Sequence, residues 1–232
     1  ESTHDYWRSN GAFAPNVTVR LASGGYIGGG LYHSQNIEAS LLPLPGVRIV
    51  SPAFADDAAG LLRTAMRSEG LTVYLEPKAL YNAKQAMTYV PEDFEVPFGK
   101  ARIRREGTDI TILTYGNTVH HSLEAAEIVA KEDGASVEVV DLRSLKPLDE
   151  ETILKSVAKT HRCLIVHEDK VFAGFGGELT ALINEKAFEQ LDAPVRRVGS
   201  ENTPVGFNRI LEKAVLPNTE KVVKGLRDLL AY

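Results

Sequence analysis

The sequence predicts an α/β protein built on parallel sheets, organised as two successive units. Three observations carry that expectation. Short β-branched runs alternate with amphipathic helical stretches. The alternation recurs on both sides of a stretch rich in Pro and acids at 83–98. A glycine-rich loop, Gly28-Gly29-Gly30, follows the first strand and leads to His33, and loops at strand ends are where open α/β sheets place ligands.

The elements follow in order. Val17 to Leu21 is short and β-branched and predicts a strand. The glycine loop ends at His33, and a helix-like segment follows from Asn36. Val47 to Val50 predicts a second strand. Asp56 to Met66 has acids in its first turn and apolar residues at 58, 61, 62 and 65, the pattern of an amphipathic helix that closes near Gly70. Leu71 to Leu75 predicts a third strand, and the order strand, helix, strand implies parallel pairing with right-handed crossovers. Residues 83–98 lack periodicity and carry Pro91, Glu92, Asp93, Glu95 and Pro97, the composition of a linker.

From Gly99 the alternation is cleaner. Strands are expected at Asp109–Tyr115, Val137–Leu142, Arg162–His167 and Val195–Val198. Helices are expected at Val119–Ala130, from Asp149 through Val157 with Asp149 as N-cap, from Gly176-Gly177-Glu178, and twice near the C-terminus. The domains expected are 1–82, a linker at 83–98, and 99–232. The second unit reads as complete. The first supplies about three strands, and its opening residues read like the middle of a domain, so the chain is expected to be a fragment.

Composition excludes several classes. The chain has 232 residues and a net charge of -5, whereas nucleic-acid binding calls for a basic face. No apolar run is long enough to span a membrane, and no signal peptide is visible. The one cysteine, Cys163, sits in an apolar run and reads as a buried strand residue. A bacterial cytoplasm fits, and so does a mitochondrial matrix.

The candidate site residue is His33. Glycines allow positive φ and close approach by a ligand, and imidazoles titrate near neutral pH. A histidine after a glycine loop is also a common turn or cap residue. Gly25, Gly28 and Gly30 invite a dinucleotide-binding reading, but that needs an acid after the next strand, and Val47–Val50 ends in Ser51-Pro52. His120-His121 lie at i, i+1, do not share a helix face, and read as exposed. His161 reads as a surface loop. His167-Glu168-Asp169 ends a strand and reads as structural or docking, and Glu201 to Pro204 reads as a turn.

Taken in order, Tyr6-Trp7-Arg8-Ser9-Asn10-Gly11, Gly30-Leu31-Tyr32-His33-Ser34-Gln35, Gly46-Val47-Arg48-Ile49-Val50-Ser51-Pro52, Asp57-Ala58-Ala59-Gly60-Leu61-Leu62, Leu75-Glu76-Pro77-Lys78, Asp141 to Asp149 and Leu216-Pro217 resemble the beta subunit of thiamine-diphosphate-dependent 2-oxo acid dehydrogenases. The resemblance covers the whole chain. It implies a partial pyrimidine-binding domain followed by a transketolase C-terminal-type three-layer α/β domain. Leu31-Tyr32, Glu76-Pro77-Lys78 and His167-Glu168 resemble branched-chain members, with a pyruvate dehydrogenase beta subunit as the alternative.

The resemblance implies oxidative decarboxylation of a 2-oxo acid such as 3-methyl-2-oxobutanoate, with acyl transfer to a lipoyl arm. Thiamine diphosphate would carry the carbon chemistry. His33 matches the family's active-site histidine. The resemblance implies that magnesium and the diphosphate belong to an alpha subunit or fused alpha region, and consistently with that no Gly-Asp-Gly with a following Asn pair occurs here. The glutamate that activates the pyrimidine lies upstream of the matching segment, and Glu38 matches the helix after the loop instead. The chain as given is therefore expected to be inactive and to hold no thiamine diphosphate. A structural potassium ion is implied at Val17, Thr18, Ala65, Ser68 and Gly70, with Ser68 and Gly70 standing where the family tends to place Asp and Asn. Expected partners are the alpha region, a second beta subunit and the lipoyl acyltransferase core. A second function class is an assembly module whose C-terminal domain dimerises and docks that core. Transketolase and deoxyxylulose-phosphate synthase, the sibling thiamine enzymes, lack the Leu-Tyr-His-Ser-Gln loop.

Overall fold

The computed structural model describes residues 2–232. The first unit runs α1 (Ser2–Arg8), β1 (Asn16–Ser23), the short helical turns α2 (Gly30–His33) and α3 (Glu38–Leu41), β2 (Val47–Val50), α4 (Ala55–Arg67) and β3 (Gly70–Pro77). The second runs β4 (Arg102–Arg105), β5 (Ile110–Thr114), α5 (Thr118–Glu132), β6 (Val137–Asp141), β7 (Ser144–Lys146), α6 (Glu150–Thr160), β8 (Cys163–Lys170), α7 (Phe175–Ala187), β9 (Arg196–Ser200), α8 (Arg209–Val215) and α9 (Thr219–Leu230).

The alternation read from the sequence is the architecture observed. β1, β3 and β2 pair in parallel, and a second sheet has the order β4-β6-β5-β8-β9, parallel except for β4. That sheet is the middle of three layers. Ile110, Ile112, Val137, Val139, Leu164 and Val166 face α5 and α9, and alternate residues such as Leu113, Val140 and Ile165 face α6 and α7. Strands covered on both faces are apolar throughout, and each fully buried Leu or Ile contributes about 1.5–3 kcal/mol. Asp149 caps α6 as expected, accepting from Thr152 N at 3.2 Å, and it also accepts from Ala101 N at 2.9 Å.

Some details depart from expectation. The helix-like segment from Asn36 shrinks to the single turn of α3, because its backbone turns to send Glu38 inward. The three strands of the first sheet are joined by a fourth. β7 leaves the second unit and pairs antiparallel with β2, Ile49 opposite Lys146. The three residues of β7 are too few to show a period in the sequence. Residues 83–98 lie along α4 rather than in solvent. Val96 is buried, Gly60 lets it approach where a Cβ would meet its Cγ2 at 2.8 Å, and Arg63 Nη1 donates to the Pro91 and Phe94 carbonyls. Among the described residues no helix is long and apolar enough to cross a membrane.

Candidate functional site

Both sheets direct strand ends at one seam between the units. Ser23, Ser51 and Pro77 mark the carboxyl ends of β1, β2 and β3. Gly116 and Asn117 follow β5, and Glu168 lies near the end of β8. All six line one small cavity. Parallel sheets place ligands at such ends. The sequence signal here was the alternation, which fixes the direction of every strand.

The glycine loop lies across this seam. Gly24, Gly28 and Gly30 have φ of +82°, +68° and +61°, and Tyr26 shares the left-handed region at +64°. Gly24 N–H donates to the Gln35 carbonyl at 3.0 Å, which closes the loop on itself. His33 ends α2, is exposed, and its carbonyl accepts from Lys78 Nζ at 2.5 Å. The ring is therefore open to solvent, while its backbone is tied to the segment after β3.

Behind the loop is a cluster of buried acids. Glu38 is fully buried, and its Oε1 accepts from Tyr115 Oη at 2.9 Å. Its Oε2 has no partner. Burial, with Asp169 nearby, pushes the Glu38 carboxyl up to about 7. Burial likewise pushes Glu168 up to about 7, against a bond from Gly25 N–H and the pull of Lys78. Asp169 is also raised, mainly by burial. The cavity beside Glu38 and Glu168 measures about 10 Å³, the space of a single water.

His167 sits beneath this cluster, ring-stacked with Tyr115 at 6.5 Å, and neither ring nitrogen has a partner. Burial, with Arg197 near, lowers it to about 4 and favours the neutral ring. Gly174, Gly176 and Gly199 surround it, and a Cβ on Gly176 would stand 2.5 Å from Nε2.

The expectation that His120 and His121 are exposed is corrected. Both are half-buried and lie at the seam. His120 Nε2 bonds the Ala53 carbonyl at 2.8 Å, and His121 Nδ1 bonds Thr219 Oγ1 at 3.2 Å. They face different neighbours, as i, i+1 spacing requires, but both faces of α5's first turn are covered. Desolvation lowers both. Cys163 is buried on β8, and burial raises its thiol. His161 ends α6 at φ +59° and is exposed.

The five positions implied for potassium surround the corner where α4 ends and β1 begins. β1 pairs with β3 in the register Asn16 to Gly70, and Ser68 caps α4. Main-chain groups there are partly engaged. Ala65 O accepts from Ser68 N at 3.3 Å, Gly70 N–H donates to Pro15 O at 2.5 Å, and Ser68 Oγ turns back to Thr64 O. Thr18 Oγ1 is buried without a partner.

A groove of about 650 Å³ runs between the end of β3, α4 and residues 80–87, with Arg20, Glu76 and Tyr81 at its polar end. Its walls are otherwise largely apolar, including Phe54, Leu62 and Met87.

Comparison with known proteins identifies the two units. Residues 6–84 match the family described as "Transketolase, pyrimidine binding domain", and residues 99–222, more than half of the chain, match "Transketolase, C-terminal domain". The 2-oxoisovalerate dehydrogenase subunit beta of Bacillus subtilis is 40% identical over 228 residues, 97% of this chain and 69% of that protein. The pyruvate dehydrogenase E1 component subunit beta of the same organism is also 40% identical, over 227 residues with the same shares. The chain thus spans about two thirds of these relatives, and 64% of the mitochondrial counterpart from Dictyostelium discoideum. Among solved structures, a chain described as "Split gene transketolase, inactive beta4 tetramer" superimposes with a TM-score of 0.73 at 25% identity, covering 97% of this chain and 73% of that one. With both transketolase-type domains in order and two Bacillus beta subunits at equal identity, the chain belongs to the family of E1 beta subunits of the 2-oxo acid dehydrogenases.

Proposed function

We propose that this chain supplies the beta side of an active site for oxidative decarboxylation of a 2-oxo acid, with acyl transfer to a lipoyl group, and that His33 is its catalytic residue. The observation that carries the reading is the position of His33. It stands exposed on a glycine loop at the carboxyl end of β1, in the domain matched to pyrimidine binding. Thiamine diphosphate, when bound, would supply the carbanion chemistry at the substrate carbonyl. An alpha partner would hold its diphosphate and magnesium.

His33 has the freedom its role needs. Its ring meets solvent, its carbonyl is fixed by Lys78, and an imidazole can accept or give a proton at its ring nitrogens. A branched-chain substrate is favoured by Leu31-Tyr32 before His33 and by Glu76-Pro77-Lys78. Thr18 Oγ1, a buried acceptor without a partner, supports a potassium ion held with main-chain groups of Val17, Ala65, Ser68 and Gly70. Exposed Phe207, Ile210 and Leu211 give the second unit an apolar surface for assembly with the alpha partner or a second beta subunit. Residues 1–82, 83–98 and 99–232 are the functional divisions of this reading.

The test uses the intact enzyme: a beta subunit that includes the upstream segment with the activating glutamate, assembled with its alpha partner. His33→Ala is expected to slow acyl transfer to a lipoyl domain by about 10²-fold or more, with little change in melting temperature because the side chain fills no core space. Near-normal transfer would remove His33 from the chemistry. A large fall in melting temperature would mark it as structural. The kcat/KM ratio for 3-methyl-2-oxobutanoate over pyruvate decides the substrate class, and a melting temperature raised by KCl but not NaCl is expected from the cation site.

A further inference from the structure

The loop that carries His33 belongs to the first unit, yet what holds it comes largely from the second. Gly25 N–H donates to Glu168 Oε1 at 2.5 Å. Gly28 N–H donates to Glu212, with its carboxylate oxygens at 3.1 and 3.3 Å. Between them Tyr26 Oη donates to the Pro217 carbonyl at 2.6 Å, and its ring lies 5.5 Å from that of His121. Both acids are buried, at 6% and 5% exposure, on β8 and α8. Glu168 is itself anchored, since its carbonyl accepts from Ser200 Oγ.

The loop's glycines fit this arrangement. A Cβ on Gly24 would lie 2.3 Å from Glu168 Oε1, one on Gly25 would lie 2.8 Å from Leu216 Cδ1, and one on Gly30 would lie 3.1 Å from Phe207 Cδ2. The glycines therefore do more than permit positive φ. They let backbone amides approach carboxylates and apolar side chains that any larger residue would push away. A carboxylate accepting a backbone N–H makes a strong, directional bond. Two such bonds, three residues apart on a strained loop, fix both its path and the start of α2, whose last residue is His33.

We propose that Glu168 and Glu212 are positioning residues for His33, so that the transketolase-type C-terminal domain sets the geometry of a catalytic loop in the other domain. This rests on the reading of His33 given above. Misplacing a reacting group by about 1 Å costs about 10²-fold in rate, so a loosened loop is expected to show in turnover before it shows in affinity.

The experiment combines hydrogen exchange with kinetics on the intact enzyme, its beta subunit including the upstream segment with the activating glutamate and assembled with its alpha partner. In Glu168→Ala, amides of 24–33 are expected to exchange at least about tenfold faster, with β5 and β8 unchanged. The kcat for acyl transfer to a lipoyl domain is expected to fall about tenfold or more, with KM for that domain within about twofold. Glu168→Gln keeps an oxygen that accepts from Gly25 N–H and is expected to restore both readouts to within about threefold of the parent. Glu212→Ala, at the outer end of the loop, is expected to act in the same direction and less strongly, and it serves if Glu168→Ala does not fold. Unchanged exchange in the loop overturns the proposal. So does faster exchange with normal transfer, and so does a Gln variant as impaired as the Ala variant. If His33→Ala leaves transfer intact, the reading of His33 fails, while the exchange data still report whether the two acids hold the loop.

Discussion

Two clusters of buried acids hold the seam between the units, and they are built on opposite electrostatic plans. In one, Asp57 at the start of α4 meets Arg104 and Arg143, and Arg104 also bonds Asp141, its Nε and Nη2 at 3.0 and 2.8 Å. Two buried carboxylates face the buried guanidiniums of Arg104 and Arg143, and the exposed Arg102 lies 3.7 Å from Asp57. In the other, Glu38 and Glu168 line one water-sized cavity with Asp169 near enough to raise Glu38, and Tyr115 donates a side-chain bond to Glu38. The nearest lysines act otherwise. Lys78 Nζ donates to the His33 carbonyl, and Lys170 gives its backbone N–H to Asp169 Oδ1. The first cluster is a lock. Burial raises Asp141 even inside the lock, to about 6, with Arg104 and Arg143 pulling it down. The second cluster leaves acids raised to about 7 directly behind the His33 loop, where burial meets no matched cation.

The lock is tested first because it carries the largest expected effect. Arg104→Leu strands Asp141 as a buried acid without its guanidinium partner and leaves Asp57 to Arg143, with Arg102 at 3.7 Å. Removing one side of a buried pair costs about 3–5 kcal/mol, and that is the loss expected in chemical denaturation. Double replacement of Arg104 and Asp141 by apolar residues should be milder than the single change. A loss under about 1 kcal/mol for Arg104→Leu would show that water reaches the cluster, and the contrast between the two ends of the seam would disappear.

The acid cluster is tested by pH. The Glu38 carboxyl titrates near 7 when folded, above the 4.5 of an unperturbed glutamate. Between those values the folded chain keeps a proton that the unfolded chain has released. Stability from this group is therefore full below about pH 4.5, falls as pH rises toward 7, and is flat above it. Glu168 adds a contribution of the same sign. Glu38→Gln keeps an oxygen for Tyr115 and carries no charge. It is expected to be more stable than the parent at pH 8 by on the order of 2 kcal/mol and nearly equal to it at pH 4.5. Equal destabilisation at both pH values would mean that Glu38 works through shape rather than charge.

Much of this was legible in the sequence, and the reasons for what was not are physical. The strands flanking the site show as β-branched runs because their faces are covered, and Asp149 shows as an N-cap because capping is local. His33 stands out because glycines precede it. The lock does not show, since Asp57 reads like any acid in a helix's first turn and Arg104 like a surface residue on an undetected edge strand. β7 escapes because pairing with β2 is decided by the other unit. His120 and His121 read as exposed in the sequence because spacing tells which faces differ, and not what covers them. Glu168 and Glu212 are 44 positions apart in sequence and meet the loop only through the tertiary fold.

The smallest expected effect sharpens the comparison most. Lys78 is the cation that pulls Glu168 down, and its Nζ is engaged by the His33 carbonyl. Lys78→Met removes a partly exposed bond, so at pH 5 stability is expected to change by under about 1 kcal/mol. Its larger consequence is for Glu168, which loses its nearby positive charge and should hold a proton to higher pH. The fall in stability with rising pH should then extend further upward in Lys78→Met than in the parent, the reverse of the flattening expected from Glu38→Gln. Denaturation curves at half-unit steps from pH 5 to 9 separate the two. If both variants flatten the profile, Lys78 is coupled to the protonated form of the cluster, and the contrast between a matched lock and an unmatched acid pair would have to be redrawn.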